Sequence, residues 1–274
     1  AHEHYKSPSV NSDKYIPFLK KICKEHSIAI IIPTIDSELL ALSSLTKYFN
    51  SVGVSLVISE VSLVEACRNK NHLTKIFHEM GLDSPVIYNK DNLSFPCFVK
   101  PYDGSSSNGT HELIDTSMLT DNILSNEKNI FMEFIDPSYD EYTIDIYYDK
   151  KGILKSFVPR LRIETRSGEV SKGVTKKNYV YDYLLNKLPK LKGARGCVTL
   201  QLFASERSGS FKAIEINPRF GGGYPLAYGA GANYPRMLIQ EYFLDEEVEF
   251  SDNWEKNLLM LRYDAKVLLN EYKS

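Results

Sequence analysis

The chain has 274 residues, of which 43% are hydrophobic and 25% charged, with a formal net charge of −2 at pH 7. That balance gives no electrostatic case for nucleic acid or an anionic membrane as partner, and no apolar run approaches the roughly 20 residues that span a bilayer. The opening AHEHYKSPSVNSDKY has neither the basic nor the apolar segment of a signal peptide, and Cys23, Cys67, Cys97 and Cys197 are scattered without metal-type or redox spacing. Free thiols in a reducing, cytoplasmic setting are the expectation.

Apolar residues at helical spacing predict a helix over 13–26. SIAIII (27–32) is a short apolar run of the buried parallel-strand type. Residues 37–53 read as one helix closed by Gly53, and VSLVIS (54–59) as a second strand. Strand, helix and strand at this spacing predict a βαβ unit. Another helix over 69–80 ends at Gly81, and the character changes from residue 85. PVIY, PCFVKP, NIFMEFI, EYTIDIYYD and ILKSFVPRLRIETR read as strands, and YDGSSSNGT as a loop. YVYDYLLNKL follows as a helix, then CVTLQLFA and FKAIEI as a hairpin, then a helix near 234–243. The tail NLLMLRYDAKVLLN leans toward a strand. The main boundary falls near 84–96.

Three stretches could carry chemistry. In FKAIEINPRFGGG, Glu215, Asn217 and Arg219 alternate along the chain, so their side chains leave one face of a strand. A hairpin symmetric over 205–210 would set Gln201 opposite Ile214, pointing away from Glu215. One extra residue, a β-bulge at the turn, would bring Gln201 and Glu215 to one face. Gln201, Glu215 and Asn217 would then offer oxygens with a single negative charge, which suits magnesium if phosphate supplies the other ligands. A polar cluster satisfied at a strand end accounts for the same residues equally well. In FVKPYDGSSSNGT, Lys100 precedes a loop whose glycines and serines can approach phosphate oxygens, although a surface loop has the same composition. In FMEFIDPSYDEYTID, an irregular connection leads to Glu141, as an ordinary hairpin also would.

In this order the three stretches resemble the ATP-grasp superfamily, most closely its carbamoyl phosphate synthetase-like branch of carboxylate-amine ligases, over about residues 13–243. The resemblance implies two α+β subdomains gripping ATP (a lid subdomain at about 85–135, a large one at 136–274). A partial Rossmann-like domain over 1–84 would precede them. It implies that Lys70 and Lys100 contact ATP, that Ser105, Ser106 and Ser107 belong to the lid, and that Glu133, Phe134 and Ile135 form an adenine-reading hinge with Glu141 on the ribose. Gln201, Glu215 and Asn217 would hold Mg2+, or Mn2+ in its place, with Arg219 and Lys100 on the transferring phosphate. The interval of fourteen residues from Gln201 to Glu215 matches the family and argues for the bulge. Met132 and the DPSYD connection depart from the family's hinge, so adenine reading would rest on backbone groups.

The expected function is ATP-dependent activation of a small anionic carboxylate as an acylphosphate, captured by an amine or other nucleophile. Arg160 and Arg162, two apart on one strand, could clamp a carboxylate or phosphate, although a solvated strand face accounts for them equally well, and Gly222 and Gly223 would let backbone approach the ligand. The alternatives are a split carbamoyl phosphate synthetase-like subunit and a non-catalytic ATP-binding module. The family's leading strand, glycine turn and helix are not in the sequence, so an N-terminal truncation or a second chain completing the N-terminal domain is expected, and a homodimer is a further expectation.

Overall fold

The computed structural model describes residues 3–102, 109–166 and 168–266. Ser105, Ser106 and Ser107 of the expected lid lie outside them. The chain opens with α1 (Tyr15–Glu25), β1 (Ile30–Ile31), α2 (Asp36–Ser43), α3 (Thr46–Ser51) and β2 (Ser55–Leu56). Strands β1 and β2 pair in parallel, Ile30 with Ser55, which is the expected βαβ arrangement. The single helix expected over 37–53 is two. The hydroxyls of Ser43 and Ser44 donate back to the carbonyls of Leu40 and Ala41, each at 3.1 Å, and Thr46 donates to Ser43 at 3.0 Å. Such back-bonding loosens the helical ladder at the break. Gly53, at φ 79°, closes α3.

Helix α4 (Val61–Arg68), which the sequence reading did not anticipate, is followed by α5 (Lys70–Met80). The Asn69 side chain caps α5 by accepting from the Asn71 N–H at 3.0 Å. Gly81, at φ 75°, ends the helix in the left-handed conformation that favours glycine.

Two antiparallel sheets then form. The smaller contains β3 (Ile87–Tyr88), β4 (Cys97–Pro101), β5 (His111–Leu113) and β6 (Asn129–Glu133), in the order β3-β6-β4-β5, with α6 (Asp121–Ser125) before β6. The larger is built from β7 (Asp140–Tyr148), β8 (Leu154–Arg166), β9 (Glu169–Thr175), β10 (Gly196–Ser205), β11 (Ser210–Asn217) and β12 (Leu259–Leu261). Its order is β11-β10-β7-β8-β9-β12. Helix α7 (Tyr179–Leu185) lies between β9 and β10, and α8 (Tyr224–Gly229) and α9 (Tyr234–Tyr242) follow β11. Strand β9 and helix α8 were not anticipated, and β12 is shorter than the strand expected across the tail.

Among the described residues, the buried apolar side chains form three clusters. One gathers Leu39, Leu42, Phe49, Leu56 and Val64 in the N-terminal region; one holds Cys97, Val99, Leu113 and Phe131 under the small sheet. The largest lies against the six-stranded sheet and takes in Leu73, Phe77 and Met80 of α5, so α5 is anchored to the large sheet. All four cysteines are free thiols. Among the described residues, no helix is long and apolar enough to cross a membrane.

Candidate active site

The cleft-facing side of the large sheet is a grid of polar residues. Paired residues in neighbouring antiparallel strands share a face. One row runs Glu215–Gln201–Thr143–Arg160–Thr175 across β11, β10, β7, β8 and β9. The next runs Asn217–Thr199–Asp145. Gln201 opposes Glu215, while Leu202 opposes Ala213, so Ile214 is the extra residue of a bulge. The hairpin end is symmetric, Ser205 with Ser210; the bulge therefore sits in the body of β11 and not at the turn. It brings Gln201, Glu215 and Asn217 to one face.

A cavity of 530 Å³ separates this face from the small sheet. Phe98 and Lys100 reach it from β4, because Cys97 and Val99 take the opposite, buried face of that strand. Lys70 enters from the first position of α5, and Met132, Phe134, Phe203 and Ile214 supply apolar walls. Burial and the neighbouring Lys70 ammonium bring the Lys100 pKa down to about 8, with Glu215 pulling it the other way. Glu141 lines the same cavity. Burial raises its pKa, the Arg162 guanidinium opposes that shift, and Glu215 adds to it. Arg162 Nη1 donates to Glu141 at 2.6 Å and Nη2 to the Gly168 carbonyl at 2.8 Å.

The Glu133 carboxylate is clasped by Lys212 Nζ at 2.8 Å and by the Val86 N–H at 3.1 Å. Its side chain thus ties the small sheet to the large one, and with the Glu133 N–H donating to the Val86 carbonyl at 2.8 Å, the reading of any base at the hinge would fall to the Glu133 carbonyl and the backbone groups of Phe134 and Ile135.

A second, narrower cavity of 60 Å³ adjoins the first and shares Arg162, Gly168 and Gln201 with it. Arg160, Arg219, Asn217 and the glycines 221–223 complete much of its wall. Arg160 is 1% exposed and grips Asp145 through Nε and Nη2 at 2.5 and 3.1 Å. Its Nη1, and Nε of Arg162, are buried donors with no acceptor among the described residues. Arg219 donates to Asp36 at 2.5 Å and to the Phe220 carbonyl at 2.9 Å. The Cys67 thiol, pushed up to about 12 by burial and by the carboxylates of Glu215 and Asp36, marks how near the N-terminal region comes to the metal-type row. The arginines expected as a free anion clamp are thus each engaged by a carboxylate. Buried guanidinium groups need such partners.

Residues 125–263, half of the chain, match the family model described as "ATP-grasp in the biosynthetic pathway with Ter operon". The chain belongs to the ATP-grasp family. Residues 1–57 match a second model, the PylC-like N-terminal domain. A comparison with curated protein sequences finds no match. Among solved structures, the biotin carboxylase domain of Hydrogenobacter thermophilus 2-oxoglutarate carboxylase, in complex with MgADP, ADP and bicarbonate, is similar at TM-score 0.73 and 14% identity, covering 93% of this chain and 62% of that one. L-amino acid ligase from Bacillus licheniformis is similar at TM-score 0.64 and 18% identity, over 86% of this chain and 61% of that one. N5-carboxyaminoimidazole synthetase from Staphylococcus aureus, complexed with ADP, gives TM-score 0.64 and 12% identity, over 81% and 61%. These likenesses show the ATP-grasp fold, and the chain spans less than two thirds of each of those proteins.

Within this ATP-grasp chain, the row of Gln201, Glu215 and Asn217 has the donor chemistry of a hard cation that keeps other ligands. Among the described residues no group of three or more His, Cys, Asp or Glu could hold a metal, so a cation here would need oxygens from a bound phosphate chain. Asp36, Asp145 and Glu169 also belong to the site region and were not picked out from sequence. Asp36 sits in IIPTIDSE, which carries no local sign of a partner 183 residues away. Asp145 could have been found, because EYTIDIYYD puts it on the same strand face as Glu141 and Thr143.

Proposed function

We propose that this ATP-grasp chain is an ADP-forming ligase that activates a small-molecule carboxylate as an acylphosphate for attack by an amine or other nucleophile. One observation carries the reading. The oxygen row of Gln201, Glu215 and Asn217 stands at the junction of two cavities, one with Lys70, Lys100 and Glu141, the other with Arg160, Arg219 and the glycine loop.

In this reading the base lies between the apolar walls at the hinge, Glu141 accepts from ribose hydroxyls, and Lys70 and Lys100 hold phosphate oxygens. Gln201, Glu215 and Asn217 would hold Mg2+, which when bound neutralises charge on the phosphate chain. A carboxylate oxygen positioned from the second cavity attacks the terminal phosphorus as the bond to ADP breaks. The nucleophile then attacks the acyl carbon, phosphate leaves with the electron pair of the C–O bond, and the nucleophile's proton passes to solvent. Arg219 faces the oxygen that gains charge. Such a reaction needs positioning and charge neutralisation and no protein nucleophile. The test is release of ADP from MgATP across a panel of small carboxylic acids with ammonia and amines. Carboxylate-dependent ADP release that Lys100→Met abolishes is the expected result; nucleotide binding without turnover for any acid would favour a binding module.

A further inference from the structure

We propose that the free edge of β2 is a docking site for an extended acidic segment of a partner protein, which adds to the N-terminal sheet as a further strand. The site lies apart from the catalytic cleft, and the inference does not rest on the ligase reading.

The first argument is the backbone. Among the described residues β2 pairs with β1 alone. The Ser55 N–H donates to the Ala29 carbonyl at 2.8 Å and the Val57 N–H to the Ile31 carbonyl at 2.9 Å. Backbone groups alternate in direction along an extended chain, so those of Leu56 and Ile58 turn to the other edge. There they have no hydrogen-bond partner among the described residues, although each residue is only 4% exposed. Backbone polar groups in so sheltered a place are costly to leave unpaired, and an unpaired strand edge is a template for another strand.

Shape supplies the second argument. A cavity of 830 Å³ lies against this edge, with Leu56 and Ile58 in its lining. Lys47 lines it from α3, and Lys150, Arg195 and Tyr242 line it from the region of the large sheet. None of these residues lines either cavity of the catalytic cleft. Because Leu56 is sheltered in the groove, the same strand of a second copy, sheltered in its own groove, cannot reach it. A slender extended segment can. The third argument is charge. Lys47, Lys150 and Arg195 line the cavity, and Glu60 is its one acid among the described residues. Arg195 holds Glu60 at 2.8 Å, and Lys150 reaches Asp245, whose side chain is 94% exposed. Lys47 has no acidic partner among the described residues. Carboxylates on an added strand can take Lys47 and draw Lys150 away from so exposed a pair. The chain as a whole carries a charge of −2, so this cationic lining is a local departure that selects an acidic segment.

The experiment uses the full chain and a fluorescent peptide of alternating glutamate and valine, about eight residues long, which is within the ordinary length of a strand. Its controls are the lysine–valine counterpart and two glutamate–valine peptides, one N-methylated at every valine and one at every glutamate. Fluorescence anisotropy reads binding, and amide hydrogen exchange reads residues 54–60. The inference expects the acidic peptide to bind saturably with Kd below about 1 mM. The lysine peptide and at least one methylated peptide should bind about tenfold more weakly, the scale of a lost charge-assisted or backbone hydrogen bond. Exchange at Leu56 and Ile58 should slow in the complex. Lys47→Glu should weaken binding about tenfold with the urea-unfolding midpoint unchanged. No saturable binding, equal binding of the lysine peptide or of both methylated peptides, or binding untouched by Lys47→Glu would overturn the inference. So would slowed exchange at Leu56 and Ile58 with inorganic pyrophosphate alone or on self-association of the chain, which would assign the groove to a small anion or to a second copy.

Discussion

Lys100 faces Lys70 and Glu215 inside the larger cavity, and its pKa of about 8 records how burial and the Lys70 charge outweigh the pull of Glu215. A phosphate chain reverses that balance by placing anions beside the ammonium. In the free protein the charged fraction of Lys100 falls as pH rises through about 8, and bound nucleotide restores it. ATP binding should therefore take up close to one proton at about pH 9, and affinity should weaken above about pH 8 by up to tenfold per pH unit. Calorimetry in buffers of different ionisation enthalpy reads the uptake. Lys100→Met should remove it, and a wild-type protein that binds ATP with no uptake would contradict the assignment. Asp145 offers a stability test at the same scale. It is 2% exposed and satisfies two nitrogens of the buried Arg160. Asp145→Ala leaves that guanidinium uncompensated and should cost about 3–5 kcal/mol in urea unfolding.

At the scale of elements, the hairpin of β10 and β11 shows what was legible in the sequence. The alternation of Glu215 and Asn217 fixed their relative facing, since period 2 is a property of the strand itself; Arg219, expected on the same face, lies past the end of β11, where its N–H donates to the Asn217 carbonyl at 2.8 Å. The alternation left Gln201 undecided, because cross-strand facing depends on one residue of register, and only the fourteen-residue interval pointed to the bulge that Ile214 now occupies. Helix α5 was legible from Asn69 and Gly81, which both cap as their chemistry dictates. Helix α4 was not: VSLVEACR is short, β-branched at two of its residues and flanked by no glycine. The break between α2 and α3 was also hidden, because serine back-bonding reads in sequence like any polar helix face. Gly196 makes a prediction at this level. It starts β10 at φ 65°, and a Cβ there would lie 2.4 Å from Val57 Cγ1. Gly196→Ala combines left-handed strain with overpacking and should cost about 2–4 kcal/mol. A loss below about 1 kcal/mol in equilibrium unfolding would contradict this close approach.

Among the described residues, three apolar clusters gather around one cleft, and ion pairs cross between the parts of the molecule. Lys212 with Glu133 links the two sheets, and Arg219 with Asp36 links the N-terminal region to the glycine loop. The second pair is half exposed on its acidic side, so Asp36→Ala should change stability by no more than about 1 kcal/mol. It should nevertheless lower carboxylate-dependent ADP release while leaving ATP affinity within about twofold, because Arg219 loses its orienting partner. Equal turnover in the variant would remove Asp36 from the site. The central claim is that the row on β10 and β11 holds the cation of a bound nucleotide, and calorimetric titration of ATP with and without magnesium tests it most directly. The account predicts that magnesium strengthens ATP binding to the wild-type chain and that Glu215→Ala, still folded, loses this dependence. Magnesium dependence that persists undiminished in Glu215→Ala would contradict it.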